Sequence, residues 1–227
     1  QFQEYFGENV KDKIIFVPHH ISHISSSYYT SGFKDAVGVS IDATGDFSTM
    51  EITEYKNNKI NLISKNFYPH SLGILYQAIT QFLGFKNYGD EYKVMALAAF
   101  GNPKYKNEFD KLVKFIPPYN FELNLEYFLH HKNFFFKNLD SSKPIFENLF
   151  SKKIEELLGS ERSYKDEIQQ RHYDIASSLQ NKFEEIVLKI IQNTYLENYS
   201  NNLCLSGGCF FNSVLNGKIY KSSKFDK

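Results

Sequence analysis

The sequence predicts an α/β fold in which mixed β-sheets are flanked by helices. Short apolar runs alternate with segments whose apolar residues recur at helical spacing. Three β-rich runs follow one another with turn sequences between them, as in an antiparallel meander. Near the end of the sequence an apolar run leads into two glycines and then a helical pattern, which is the order strand, turn and helix.

These patterns predict the elements in order. The run "IIFV" at 14–17 is a short buried strand, and a helix from Ile21 ends near Gly32. The turn sequences "ATGD" and "KNNK" separate three strands, expected at 36–42, 47–55 and 60–68. The later predictions are helices from Ser71 and Asp90, helices over 104–116, 144–159 and 165–198, and a strand, glycine turn and helix over 202–220.

Length and composition limit the class of protein. A chain of 227 residues can bury a sizeable core as one large domain or two lobes. The formal net charge of zero gives no broad attraction to nucleic acid, so we expect no nucleic-acid partner. Cys204 and Cys209 are the only cysteines, too few for a disulfide framework. No apolar stretch approaches the roughly 18 residues that cross a bilayer, so we predict a cytoplasmic protein without a membrane partner.

The segment "HHISH" places three histidines within five residues. If the helix begins slightly before Ile21, His19 and His23 project from one face about 6 Å apart. Two neutral imidazoles in that arrangement can share one divalent metal, whereas His20 would point elsewhere. A polar helix start, capped by Ser22 or a histidine, accounts for the same residues without a metal.

A second candidate motif is "SIDATGDFST" at 40–49. Asp42 ends a buried strand and could hold a cation, while the turn containing Gly45 lets backbone amides approach a phosphate. An ordinary hairpin with acidic turn residues explains this motif when it is taken alone.

A third candidate motif is "LCLSGGCFFNS" at 203–213. Gly207 and Gly208 let a ligand ring lie against bare backbone, and the helix after them, with Asn212 in its first turn, offers amides to an anion. A tight strand-to-helix turn explains the glycines equally well. Together, and separated by helices, the two motifs match the phosphate and adenosine motifs of the actin and sugar-kinase superfamily.

Six segments together resemble the carbamoyltransferases related to nodulation and antibiotic-tailoring enzymes. In order they are "HHISHISSSYYTSGF", "SIDATGDFS", "SLGILYQAITQFLGF", "DEYKVMALAAFGNP", "DIASSLQ" and "LCLSGGCFFNSVLNGKI". The resemblance is weakest at about 117–163, which we interpret as an insertion. It implies an actin-like, ribonuclease H-like fold, in which 1–35 ends a first lobe with the His-rich helix and 36–227 forms a second lobe.

The resemblance also implies a function. Such proteins combine a large N-terminal domain, similar to the universal tRNA threonylcarbamoyl transferase, with a C-terminal domain that makes carbamoyl-adenylate from ATP and carbamoyl phosphate. The large domain then moves the carbamoyl group to a hydroxyl of a small-molecule acceptor. We therefore expect O-carbamoyl transfer, with the carbamoyl-adenylate-forming domain of the same polypeptide as a partner.

Carried over residue by residue, the resemblance makes His19, His23 and Asp42 catalytic residues and metal ligands, with Fe²⁺ as the expected metal. The ligand types also suit manganese or zinc, so the residues alone do not choose the ion. The residues expected to bind ATP or carbamoyl-adenylate are Gly45, Glu91, Lys93, Gly207, Gly208 and Asn212. The family's glycines are replaced at three positions, by Ala43, Tyr92 and Ala96.

Parts of the family pattern are not in this sequence. The family's opening phosphate-binding hairpin precedes "IIFV", and a late Asp-Gly segment that supplies another metal carboxylate follows the position of Lys227. Because the sequence also begins at Gln1, we expect an excised piece of a longer enzyme with an incomplete site, inactive by itself.

Two other functions remain open. One is threonylcarbamoyl-type transfer to tRNA, against which stand the zero net charge and the closer match of "SLGILYQAIT" and "DEYKVMALA" to the small-molecule group. The other is a nucleotide-binding lobe without chemistry, which the glycine replacements and the truncation favour.

Overall fold

The computed structural model describes residues 4, 5, 7, 11–57, 59–132 and 147–227. These ranges contain both helices and strands, with helices flanking a mixed sheet, which confirms the predicted α/β class. The helices are α1 His19–Ser31, α2 Leu72–Phe82, α3 Glu91–Ala98, α4 Lys106–Leu112, α5 Glu155–Leu158, α6 Gln170–Leu196 and α7 Ser213–Ser222. The strands are β1 Ala36–Gly45, β2 Ser48–Lys56, β3 Lys59–Phe67, β4 Val113–Ile116, β5 Asn120–Leu123 and β6 Leu203–Ser206.

A four-stranded mixed sheet in the order β3-β2-β1-β6 organises the described residues. The first three strands form the predicted antiparallel meander. Strand β6 joins β1 in parallel, with Ser40 opposite Ser206. Because the carboxyl ends of parallel strands lie at one edge of a sheet, Asp42 and Gly207 come next to each other there.

Strand β1 is covered on both faces, so its residues from Ala36 to Ile41 are all buried. Its odd-numbered residues, beginning with Val37, join the main core built with α2 and α6. Its even-numbered residues face α1: a Cβ on Gly38 would stand 2.0 Å from Ile24 Cγ2. Side chains alternate with a period of two along a strand, so Asp42 lies on the same face as α1.

Two helix ends follow the predicted signals. Gly32, with φ of 75°, ends α1 in the left-handed conformation that glycine adopts without strain. The Ser71 hydroxyl accepts a hydrogen bond from the Ile74 N–H at 3.1 Å and caps the start of α2. Both helices therefore begin or end at residues that the sequence identified.

The predicted strand at 14–17 is wrong, because these residues form no strand. Ile15 is 87% exposed and Phe16 is 90% exposed. A short apolar run becomes a strand only where another strand pairs with it, and among the described residues none does.

Two predicted helices are also corrected. The helix expected over 104–116 ends at Leu112, and β4 then pairs with β5 in a hairpin around Pro117 and Pro118. Proline donates no backbone hydrogen bond, which favours a turn there over a continued helix. Of the helix expected over 144–159, residues 144–146 lie outside the described residues, and the rest is helical only at α5 and in a short 3-10 turn before it.

The segment "DIASSLQ" lies on α6 and fastens the loop after α3. The Asp174 carboxylate accepts hydrogen bonds from the Asn102 N–H at 2.9 Å and pairs with the Lys104 ammonium at 2.8 Å. The hydrogen bond from Lys104 is the largest cause that lowers the pKa of Asp174 to about 2, and the hydrogen bond from the Asn102 N–H is the next largest. The Ser178 hydroxyl accepts from the Tyr105 N–H at 3.0 Å. Asp174 and Ser178 therefore hold the loop after α3 against α6.

None of the helices in the described ranges combines the length and the apolar character that a membrane crossing requires. The actin-like fold and the division into two lobes remain predictions.

Candidate functional site

The side chains of His19, His23 and Asp42 converge where α1 begins and the regular part of β1 ends. Nε2 of His19 lies 3.4 Å from Oδ2 of Asp42, and Nε2 of His23 lies 3.1 Å from the same oxygen. The His19 N–H donates to Oδ2 of Asp46 at 2.7 Å, which anchors the first turn of α1 to the β1–β2 turn. The predicted four-residue spacing therefore does place both imidazoles beside one carboxylate.

These three side chains fit a single metal ion. One ligand atom from each lies within 4.8 Å of the others. Ligands about 2.1 Å from a common ion stand roughly 3.0–3.4 Å apart in octahedral or tetrahedral geometry, which matches both measured separations from Asp42. Oδ1 of Asp42 accepts from the Ala43 N–H at 2.8 Å, so the carboxylate is oriented with Oδ2 toward the imidazoles. The donor set of two nitrogens and one oxygen suits iron, manganese or zinc.

His20 points away from this cluster, as the sequence predicts. Its side chain is fully buried between α1 and the sheet, and Nδ1 lies 2.8 Å from the Ser40 hydroxyl. Burial lowers the pKa of His20. It supports the helix that carries the other two histidines.

Gly45 contacts a histidine side chain. A Cβ at this position would stand 2.1 Å from Cδ2 and Cγ of His19. Glycine is required here because the imidazole ring lies directly on the backbone of β1. The predicted role of Gly45 in phosphate binding stays a prediction, while the structure gives it a role in placing His19.

The cluster opens into a cavity of about 730 Å³. Of the predicted residues, His19, Asp42, Glu91, Gly208 and Asn212 line it. The other lining residues are Ala43, Thr44, Gly73, Tyr76, Gln77, Tyr88, Gly89, Tyr92, Met95, Phe183, Cys209 and Phe211. No lysine or arginine occurs among the described residues that line this cavity.

Glu91 and Cys209 have raised pKa values in this cavity. Burial is the main cause for Glu91, and the neighbouring charge of Asp90 adds to it. Burial also raises the pKa of the Cys209 thiol, helped by Asp42 and Glu91. A thiol with a raised pKa is a poor nucleophile.

Lys93 is not among the residues that line the cavity, and its predicted contact with a nucleotide stays a prediction. Its ammonium pairs with Oδ1 of Asp90 at 2.7 Å and lies 5.6 Å from the centre of the Phe85 ring. The reason is helical geometry: residues two apart point about 200° away from each other, so Lys93 and Glu91 cannot share one side of α3. Glu91, Tyr92 and Met95 form the side that faces the cavity.

The two glycines after β6 pack against the end of β1. Gly207 has φ of 90°, and a Cβ there would stand 2.4 Å from the backbone oxygen of Ile41. A Cβ on Gly208 would stand 3.0 Å from Oδ1 of Asp42. The tight turn that the sequence left as an alternative is thus present, and it accounts for Gly207 without a ligand.

Asn212 caps α7 and belongs to a hydrogen-bond network beneath the cavity. Its Oδ1 accepts from the Leu215 N–H and from Nε2 of Gln180, both at 3.0 Å. Its Nδ2 donates to Oε1 of Gln180 at 2.8 Å, an oxygen that also accepts from the Tyr76 hydroxyl at 2.8 Å. Asn212 is therefore engaged largely by the protein.

Sequence reasoning does not identify the aromatic residues of the cavity. Tyr76 on α2 and Phe183 on α6 both line it, and their ring centres lie 5.5 Å apart although the residues are distant along the chain. No local spacing indicates such a pair. Phe211 also lines the cavity, whereas the sequence predicts it only as part of the strand, turn and helix.

Several known proteins resemble this chain in sequence. The family model described as "Carbamoyltransferase N-terminus" matches residues 6–227. An uncharacterized protein of Synechocystis sp., sll1178, is 34% identical over 214 residues, which are 93% of this chain and 33% of that protein. Nodulation protein NolNO of Sinorhizobium fredii is 27% identical over 98% of this chain and 29% of its own length. Nodulation protein NolO of Bradyrhizobium diazoefficiens is 27% identical over 92% of this chain and 34% of its own length. The chain thus spans about a third of each of these relatives.

Proposed function

The chain belongs to the carbamoyltransferase N-terminus family, and from this premise we propose that it transfers a carbamoyl group from carbamoyl-adenylate to a hydroxyl of a small molecule. The donor would be made from ATP and carbamoyl phosphate by a C-terminal domain of the same polypeptide. Two relatives of this chain carry the name nodulation protein. The formal net charge of zero favours a small-molecule acceptor over tRNA.

One observation carries the proposal: the cluster of His19, His23 and Asp42 opens into a cavity that no described lysine or arginine lines. Two carboxylates, Asp42 and Glu91, line that cavity. A phosphate ester would be repelled there unless a cation accompanied it. The two imidazoles and Asp42 supply the ligand types for such a cation, and we propose Fe²⁺.

A metal bound there would act as a Lewis acid toward the phosphate of the donor. The protein residues have separate tasks. Asp42 is oriented by the Ala43 N–H, and Gly45 leaves room for the His19 ring. Glu91, whose pKa burial raises, is placed to accept a hydrogen bond from a hydroxyl in the cavity. The apolar side chains of the wall, including Phe183 and Met95, exclude water from the carbamoyl group.

The testing experiment is a split assay on Asp42→Asn in the polypeptide that also carries the carbamoyl-adenylate-forming domain. Pyrophosphate release from ATP with carbamoyl phosphate reports donor formation, and mass spectrometry reports carbamoylated product from a panel of polyols and amino sugars. The variant should keep donor formation and lose at least about 100-fold in transfer, because a Lewis-acid metal contributes several kcal/mol to the transition state.

Asp226→Asn is the matched control, since Asp226 is exposed and does not line the cavity. Transfer by Asp42→Asn at the wild-type rate would refute the metal-centred proposal. A folded wild-type protein that binds donor but neither transfers carbamoyl nor binds metal would support the non-catalytic lobe instead.

A further inference from the structure

Three large aromatic side chains line the cavity and yet stay exposed. Tyr88 is 65% exposed, Tyr92 on α3 is 63% exposed, and Phe211, two residues before the start of α7, is 88% exposed. Exposing an aromatic ring in water forgoes the stabilisation that its burial provides. Such rings on the wall of one cavity mark a place where a ligand can cover them.

Tyr92 and Phe211 lie on two segments of the chain that contact each other. The Ser213 hydroxyl lies 3.9 Å from Sδ of Met95, which joins α3 to the segment that carries Phe211. Met95 follows Tyr92 by three residues, so both lie on the same side of α3, about one turn apart. Phe211 precedes Ser213 by two residues. Tyr92 and Phe211 therefore stand on adjoining walls of the cavity.

Lys93 constrains one of the rings. Its ammonium is fixed by Asp90 and lies 5.8 Å from the centre of the Tyr92 ring, within the range of a cation–π contact. The lysine that the sequence assigned to the ligand thus contacts the aromatic neighbour that does line the cavity. This contact limits the orientations of Tyr92 and prepares its ring for stacking.

The glycine turn presents only one of its two glycines to the cavity. Gly207 is buried and packs against the backbone oxygen of Ile41. Gly208 is exposed, lines the cavity and lies beside the Asp42 carboxylate.

We propose that Tyr92 and Phe211 form an aromatic clamp that stacks on the purine base of the nucleotide donor. The clamp rests on the proposed function, since it takes a nucleotide as the ligand. A base between these walls leaves the ribose near Glu91, and the phosphate toward the metal cluster. Tyr92 and Phe211 are then specificity-determining residues that select a planar aromatic group.

The test compares two probes by titration calorimetry on the purified protein: AMP, and ribose 5-phosphate, which lacks the base. Stacking of a base on an aromatic side chain is worth about 5- to 150-fold in affinity when the side chain is cut to alanine. Tyr92→Ala and Phe211→Ala should each weaken AMP binding within that range and leave ribose 5-phosphate binding unchanged. Phe211→Leu, which keeps an apolar side chain without the aromatic face, should resemble Phe211→Ala.

Tyr220→Ala is the matched control, because Tyr220 is 89% exposed and does not line the cavity. Equal AMP affinity in wild type, Tyr92→Ala and Phe211→Ala overturns the clamp and leaves carbamoyl transfer untouched. An equal loss for both probes also overturns it, because the side chains would then act only on the general shape of the cavity. Absence of saturable AMP binding to the wild-type protein overturns the clamp and the nucleotide donor together, whereas the metal ligands are tested separately.

Discussion

Gly45→Ala should weaken metal binding by the cluster of His19, His23 and Asp42 and leave the fold intact. The new Cβ would stand 2.1 Å from Cδ2 and Cγ of His19 and 2.6 Å from its Nε2. Nonbonded carbons stay about 3.5 Å apart, so the imidazole must retreat by roughly 1.4 Å. Metal–ligand distances tolerate only about 0.2 Å, and His19 would cease to be a ligand.

The fold should survive this change. Gly45 has no positive φ, so alanine fits the backbone, and the His19 side chain is about a third exposed and has room to turn outward. Replacing glycine by alanine at a compatible position stabilises a protein by about 0.4–1 kcal/mol, which offsets part of the cost of moving the ring. We expect the free energy of unfolding to change by less than about 1 kcal/mol.

The assay is an anaerobic titration with Fe²⁺, or with Co²⁺ as a spectroscopic substitute, alongside urea unfolding. Gly45→Ala should lower metal affinity by at least about tenfold, as changes around metal ligands commonly do. Gly217→Ala on α7 is the control: a Cβ there meets nothing within 4 Å, so it should leave metal affinity unchanged. A folded Gly45→Ala protein with wild-type metal affinity would refute the argument that His19 is a ligand held by this contact.

Two further predictions concern stability. Asp174→Asn should destabilise the protein by about 1–3 kcal/mol, because the ion pair with Lys104 is lost at a buried position. The lowered pKa of Asp174, about 2, gives stability that is present above about pH 3.9 and lost as the pH falls toward 2, so urea unfolding of the variant should lack this acid dependence. Burial lowers the pKa of His130 to about 4, so wild-type stability should decline as the pH falls from about 6.5 toward 4. His130→Gln should be less stable at pH 7 but show a flatter decline, and an unchanged pH dependence would contradict the assignment.

Much of the fold could be predicted because its signals are local. Turn sequences separate the three strands of the meander, and Gly32 and Ser71 mark helix ends by their own conformational preferences. Local signals could not decide whether 14–17 forms a strand, because a strand requires a second strand to pair with it.

The candidate site was predictable in part for the same reason. The spacing of His19 and His23 is a helical property, and it places both rings on one side of α1. Their meeting with Asp42 depends on the packing of α1 against one face of β1, a tertiary contact that only the family resemblance indicates. For Gly45 and Gly207 the sequence shows that a Cβ is missing, but not whether a ligand or the protein fills that space.

The most direct test of the account is an anomalous difference map from crystals grown with Fe²⁺ under anaerobic conditions and measured at the iron edge. We predict a peak about 2.1 Å from Nε2 of His19, Nε2 of His23 and Oδ2 of Asp42. The peak should be absent in the His19→Ala, His23→Ala double variant. An ordered cluster without a peak, or iron bound at full occupancy elsewhere in the protein, would contradict the claim that these residues form a metal centre.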